Sequence, residues 1–503
     1  MDQGKEKTNV LLLTLDAFSY ELLTEHVNEF HNISKLINEG TFFTNAFSVG
    51  PSTFFAFPAI IGGTYPYHFG IGIDKNIKTI YDILKSNGYN TSIINECNAL
   101  LTPYYGYCRG VDYQNHFLDL SHAEVDRKLS NVFQSENDGQ VASPNRGLRM
   151  INNFVKKYEF DWMADIGKPT IHFYNFLKMY YLNKSERYHD REKLYNVFRK
   201  DILDFIREKF TSPQFLWIHT IINHLPYLPP EDCSVFNTKE IDYLNCRGLS
   251  GLVDDKVCER LKKLYVESMK RTDAFIGDII SALKNKGVLE NTMIIVTADH
   301  GEEFLEDGYF EHENISSSDR LLHVPLVFYH PGVLKQNKID LPVSTIDIMP
   351  TVCNMMGIST TNSSRGISQE DVITNWPVDE DSYREMKERP LFSEAWYSKG
   401  LLDRSPGYES DRVIFTVRKG NYKLKVVRKR RNREVFIDNC TLKNWKENKK
   451  LDIENNKHIY EELMFLLYDH IYSERCFARN IRLQAELKQI KNSLHKVKSN
   501  SIL

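Results

Sequence analysis

Short apolar runs bounded by turn residues alternate along the chain with segments whose apolar residues recur every three to four positions. That alternation is the signature of a mostly parallel sheet covered by helices on both faces, so the fold class is α/β. Asn9 to Leu15 reads as a central strand, Ile33 to Asn38 as a helix stopped by Gly40, Thr79 to Ser86 as a helix closed by Asn87-Gly88, and Thr91 to Ile94 as a strand. The rhythm then breaks: residues from about 117 to 195 are polar, Asn- and Lys-rich helical segments, read as an insertion that covers a site. It resumes with a helix from Lys193 to Lys209, the strand Gln214 to His219, a long helix from Tyr265 to Lys286 and the strand Thr292 to Thr297.

Beyond Leu391 the pattern changes again. Alternation in Arg412 to Val417 and Tyr422 to Val427, around Lys419-Gly420-Asn421, predicts a hairpin in a small antiparallel sheet. The expected organisation is a main α/β domain over residues 8–385, a small α+β subdomain over 386–470 and a helical tail over 471–503. In the tail, Leu483, Leu487, Ile490, Leu494 and Val497 recur in steps of four and three. This stripe is either a coiled-coil seam joining two copies of the chain in a homodimer or the face of a helix laid on its own domain.

Composition narrows the class. With 503 residues, 42% apolar and 26% charged, the chain is globular rather than disordered or fibrous. A net charge of -3 supplies no global field for nucleic acid or an anionic membrane. The basic run Arg428 to Arg433 sits between strand-like segments without interleaved aromatics and reads as a solvated hairpin turn, so no nucleic-acid partner is expected. No apolar stretch approaches the roughly 18 residues of a membrane span. Val10 to Leu13 is too short for a signal peptide, and the eight cysteines form no CxxC pair, so a reducing cytoplasm is the expected compartment.

Four segments carry candidate chemistry. Asp16 ends a buried strand, at the sheet edge where α/β proteins bind ligands, and is either a helix N-cap or a metal ligand. Asp299-His300-Gly301 also follows an apolar strand, with Glu311-His312-Glu313 downstream; a hard oxygen and an imidazole can meet at one cation if Gly301 lets the backbone bend, or Asp299 merely caps a turn. Ser52-Thr53 stands at a probable helix start, where a hydroxyl is usually an N-cap but also gains from the helix dipole as an alkoxide. His219 and His224 bracket a Pro-containing loop after a strand, a placement that favours function over structure.

In this order, with Asn32 to Leu36, Phe43 to Ala46, Gly62-Gly63-Thr64-Tyr65-Pro66, Gly88 to Thr91, His323 to Leu326 and Ile346 to Thr351, these segments resemble the sulfatase family of the alkaline phosphatase superfamily. The resemblance covers residues 8 to 360 and continues weakly to about 470. It implies one divalent cation, with Mn, Mg, Ca and Zn undistinguished, held by Asp16, Thr53, Asp299 and His300. It also implies that Thr53 is the nucleophile, that His224 holds the substrate anion, and that His312 protonates a leaving oxygen. His219 and Asn98 are expected beside the substrate, a small-molecule or glycan- or lipid-linked ester.

The departures bear on the chemistry. Most family members convert a Cys or Ser, in a motif with Pro and Arg, to formylglycine; Thr53-Phe54-Phe55-Ala56-Phe57 has none of these. Ala17 stands where the family has a second acid, and Glu96 and Asn98 where Lys and His are common. The remaining set resembles the single-metal site of lipoteichoic-acid-synthase-like phosphoglycerol transferases. Two functions follow: a one-metal sulfate or phosphate ester hydrolase or transferase, or a binding or scaffolding protein that keeps the fold without turnover.

Overall fold

A computed structural model describes residues 7–96, 101, 105–116, 188–306, 308–312, 316–360, 364–397, 405–431 and 434–500, with side chains to 491. Its centre is an eight-stranded sheet built from β1 (Asn9–Leu15), β2 (Thr41–Phe47), β3 (Asn90–Asn95), β4 (Tyr113–His116), β5 (Gln214–Thr220) and β6 (Thr292–Ala298), followed, after the short pair β7 (Glu303–Phe304) and β8 (Phe310–Glu311), by β9 (Leu326–Tyr329) and β10 (Asn337–Ser344). The spatial order is β10-β2-β9-β6-β1-β5-β3-β4. Every pairing is parallel except those of β9, which runs antiparallel to both β2 and β6. All seven residues of β1, of β5 and of β6 are buried, as expected of central strands covered on both faces.

The expected elements form with longer bounds. The helix at Ile33 runs from His31 to Glu39; its N-cap, Phe30, offers no side-chain acceptor, and the carboxylate of Asp273 takes that place, accepting from the Asn32 and Ile33 N–H groups at 3.0 and 2.7 Å. Asp273 lies on the long helix, which spans Asp255–Lys286, so one carboxylate ties two covering helices together. Thr79 and Asp82 form a reciprocal capping box ahead of Ile80–Ser86. The helix read from Lys193 begins by Tyr188, within the expected insertion, and closes in a single π turn, Phe205–Lys209. The rest of the insertion, 117–187, lies outside the described residues.

The C-terminal sheet is a five-stranded antiparallel meander of β11 (Leu391–Trp396), β12 (Arg412–Lys419), β13 (Tyr422–Arg431), β14 (Glu434–Asn444) and β15 (Lys449–Leu451). The basic run corrects the turn expectation in part: Arg428 to Arg431 extend β13 itself. Two of its cations are tied down, since the Arg428 guanidinium lies 5.4 Å from the Tyr67 ring centroid and Lys429 pairs with Asp438 at 3.0 Å.

The final helix, Lys457–Asn500, starts well before the tail boundary expected after Tyr472. Its first half docks through Ile459, Leu463, Met464, Leu467 and His470, all buried. Leu483, Leu487 and Ile490 remain 46%, 50% and 55% exposed, so these three residues of the seam are not laid on their own domain; the side chains of Leu494 and Val497 lie outside the described ones. No described helix is long and apolar enough to cross a membrane.

Candidate active site

Leu15 on β1 is in register with Ala298 on β6, so the residues that follow, Asp16 and Asp299, emerge side by side at the carboxyl edge of the sheet. The chain turns sharply after Asp16 through Ala17, which adopts a left-handed φ of 53°. Three bonds hold that turn: the Tyr265 hydroxyl donates to the Ala17 carbonyl at 2.5 Å and accepts from the Ser19 N–H at 2.8 Å, and Asp299 Oδ1 accepts the Ala17 N–H at 3.2 Å. Ala17 is therefore a strained backbone support.

Thr53 is the first residue of the helix Thr53–Gly62, so its hydroxyl stands at the positive end of the helix dipole. Its Oγ1 donates to Asp299 Oδ2 at 2.8 Å and lies 3.4 Å from His300 Nε2. His300 Nδ1 is 2.8 Å from the Gly301 carbonyl, an acceptor only, which places the ring proton on Nδ1 and leaves a lone pair on Nε2. That lone pair sits 3.6 Å from both Asp16 Oδ1 and Asp299 Oδ2. Gly301 is required for space rather than for a positive φ, since a Cβ there would meet the Arg320 carbonyl oxygen at 2.0 Å.

One ligand atom from each of Asp16, Asp299 and His300 lies within 4.8 Å of the others, and all three residues are buried. Burial and the Asp16 charge push the Asp299 carboxyl well above its usual range. Burial acts the same way on Asp16, but the His224 charge and the His219 hydrogen bond outweigh it and hold Asp16 low. Burial together with the His312 charge keeps His300 neutral, its pKa pushed down to about 3. Two buried carboxylates and a neutral imidazole converging on one point suit a divalent cation, which removes the repulsion that crowding creates.

His219 stands elsewhere than expected. Trp217 Nε1 donates to Thr14 Oγ1 at 2.9 Å, Thr14 Oγ1 lies 3.0 Å from His219 Nδ1, and His219 Nε2 lies 3.3 Å from Asp16 Oδ2. Both ring nitrogens are engaged and the side chain is fully buried, so the ring has nothing to offer a substrate and instead orients Asp16. His224 and His312 do line one face, with ring centroids 4.9 Å apart and His312 4.3 Å from His300. Asn98 lies outside the described residues; its neighbour Glu96 accepts from Thr220 Oγ1 at 2.6 Å and from the Ile221 N–H at 3.0 Å, tying β3 to the loop that carries His224.

Glu302 was not singled out by sequence. It is buried, lies 3.0 Å from His312 Nδ1 through Oε1 and accepts from the Tyr227 hydroxyl at 3.3 Å. Its only sequence signal is its place two residues after His300, in a run that reads equally well as a charged turn.

A profile of the Sulfatase family matches residues 8–358. The chain belongs to the sulfatase family. The chain is 24% identical over 378 residues to arylsulfatase K of Bos taurus, covering 72% of the chain and 64% of the bovine protein, so it spans less than two thirds of that relative. It is 24% identical over 400 residues to an arylsulfatase of Clostridium perfringens, covering 73% of the chain and 78% of the relative. Among solved structures, the phosphonate monoester hydrolase of Silicibacter pomeroyi superposes with a TM-score of 0.62 at 16% identity, over 93% of this chain and 95% of that one. The 2-O GAG sulfatase BT1596 gives 0.63 at 15% identity, over 93% of both chains. At these identities the structural likeness speaks for the shared fold.

Proposed function

We propose that this chain is a one-metal ester hydrolase or transferase in which Thr53 is the nucleophile. The observation that carries the reading is the position of Thr53 Oγ1, at a helix N-terminus and in hydrogen-bond contact with the convergence point of Asp16, Asp299 and His300. A divalent cation held there by those three residues and Thr53 would lower the pKa of the hydroxyl and neutralise charge on the attacked ester.

The chain's own groups supply the rest. Thr53 Oγ1 forms a bond to phosphorus or sulfur as the bond to the leaving alcohol oxygen breaks, and the Thr53 proton passes to Asp299 Oδ2, its present acceptor. His224 faces the transferred anion. His312, oriented by Glu302, gives its proton to the departing oxygen. Attack of water or an alcohol on the threonine ester, its proton passing to His312, then breaks the bond to Oγ1, which takes back the proton held by Asp299 and restores Thr53. A threonine lacks the hydrated-aldehyde route by which formylglycine expels sulfate, whereas a phosphothreonine is open to in-line attack at phosphorus; the nucleophile therefore favours phosphoesters, while family membership favours sulfuric esters.

Paired aryl phosphate, phosphodiester and sulfate substrates, assayed after metal stripping and re-addition, decide between them. Turnover should need re-added metal and should fall by about three orders of magnitude or more in Thr53→Ala, with the melting temperature retained. Undiminished turnover in that variant removes Thr53 from the mechanism. Absence of metal-dependent turnover on all three substrates would favour the scaffolding reading.

A further inference from the structure

Between the C-terminal sheet and the main domain lies an open cleft of about 870 Å³ that none of the metal-site residues lines. One wall is a single face of the β13–β14 ladder. Lys423 and Lys425 alternate along β13, and Thr441 and Lys443 stand opposite them on β14, with Trp445 next on the same face. Lys423 is directly opposite Lys443, a like-charge pairing that costs a sheet stability. Burial, opposed by Asp319, pushes the Lys423 ammonium down to about 8, and the Lys443 charge adds to the fall.

Acid groups in the cleft relieve this charge only in part. Asp319 is shared between Lys423 and Arg418, and Glu21 and Glu306 are both held by Arg320. Among the described residues no carboxylate pairs with Lys338, Lys443 or Lys446, all of which line the cleft. In a chain whose net charge is -3, cations kept together without paired carboxylates make a local positive field that attracts an anionic ligand. The walls also carry aromatic rings in one contiguous cluster, the Tyr20 ring stacked on His323 at 3.7 Å and Trp445 standing edge-on to His323 at 6.4 Å. Thr44, Asn45 and Thr441 add hydroxyl and amide groups.

We propose that this cleft is a second, non-catalytic site for an anionic oligosaccharide, its sugar rings lying against the aromatic cluster and its sulfate or carboxylate groups on the lysines. Lysine ammoniums are compact point charges suited to dispersed single anions, whereas paired phosphate recognition calls for arginine forks, and the one arginine of the cleft is committed to Glu21 and Glu306. The volume, within the common range of ligand pockets, accommodates a few sugar rings. The inference does not depend on the reaction proposed for Thr53.

Calorimetric titration of the full chain with a heparin-derived hexasaccharide, the uncharged chitin hexamer and a thymidine oligonucleotide of matched charge tests it. The sulfated hexasaccharide should bind best, with an affinity that falls as salt rises. In the double variant Lys338→Gln, Lys443→Gln, affinity should drop at least tenfold and the log–log salt slope should become shallower by about two, one per lysine removed. Lys338 is exposed and Lys443 half-buried, so a thermal melt should show the variant folded; Lys338→Gln, Lys446→Gln, at two exposed positions, is the companion variant. No binding of the hexasaccharide, equal affinity in both folded variants, or tighter binding of the oligonucleotide overturns the proposal.

Discussion

Glu302 Oε1 lies 3.0 Å from His312 Nδ1, and the carboxylate is buried while the ring is 15% exposed. A carboxylate behind the ring accepts from Nδ1–H, so the proton that His312 would deliver is the Nε2 proton of its imidazolium, held in a fixed ring orientation. Proton donation matters most when the leaving alcohol is a poor one. Glu302→Gln should therefore slow turnover of an alkyl ester by about a hundredfold while changing that of a p-nitrophenyl ester by only a few-fold. Equal losses on the two substrates would assign Glu302 a structural part instead.

The Trp217–Thr14–His219 chain predicts a second effect, on metal affinity. His219→Ala removes the hydrogen bond that orients Asp16 Oδ2 and should weaken metal binding by about ten- to a hundredfold. Asp299→Asn, which replaces a charged ligand oxygen by a neutral one, should lose more. Metal content of the purified variants, measured by plasma mass spectrometry after dialysis against graded chelator, reads both; full occupancy in Asp299→Asn would count against it as a ligand.

Away from the Asp16–Asp299–His300 cluster, Glu394 on β11 is buried beside His470 of the final helix at 3.0 Å. Burial pushes the Glu394 carboxyl up to about 8 and the His470 imidazole down to about 4. The unfolded chain releases the Glu394 proton near 4.5 and the folded chain only near 8, so this residue lowers stability as pH rises between those values. His470 acts in the opposite sense, adding stability from about 4 to 6.5, so the two offset each other in acid and Glu394 acts alone above 6.5. From pH 6.5 to 8 the native protein should lose about 2 kcal/mol through this group, and Glu394→Gln should flatten that part of the curve. Denaturant titrations of both proteins at pH 6.5 and 8 measure the difference.

The exposed stripe of the last helix leads to a separable prediction. A chain ending at Arg482, whose guanidinium still reaches the His68 carbonyl at 3.1 Å, keeps every buried residue among the described side chains of the helix. It should melt within a degree or two of the full chain. If the stripe pairs two copies, light scattering should show a dimer for the full chain and a monomer for the truncation; a monomeric full chain would eliminate that pairing.

The central strands were legible in the sequence because a strand buried on both faces is dominated by apolar residues, and β1, β5 and β6 each hold a short apolar run with clear polar punctuation at its ends. Asp16, Thr53, Asp299 and His300 could be picked out because each is a polar residue at the end of such a run or at a helix start. Strands β2, β9 and β10 lack that contrast, with polar residues interspersed in β2 and β10 and only four residues in β9. Local pattern could not show that β9 runs antiparallel between β2 and β6, because strand direction is set by pairing across the sheet.

What tertiary structure alone decided is which polar group meets which. The parallel register of β1 with β6 brings Asp16 to Asp299, and the β1 register with β5 puts Thr14 beside His219, so that the ring expected at the substrate instead lies against Asp16. Glu302 gained its partner His312 in the same way, through the fold of the β7–β8 hairpin. Sequence shows where a charge sits along the chain, since hydrophobic periodicity is local. A hydrogen bond depends on distances of about 3 Å between groups far apart in the chain, and only the packed sheet sets those.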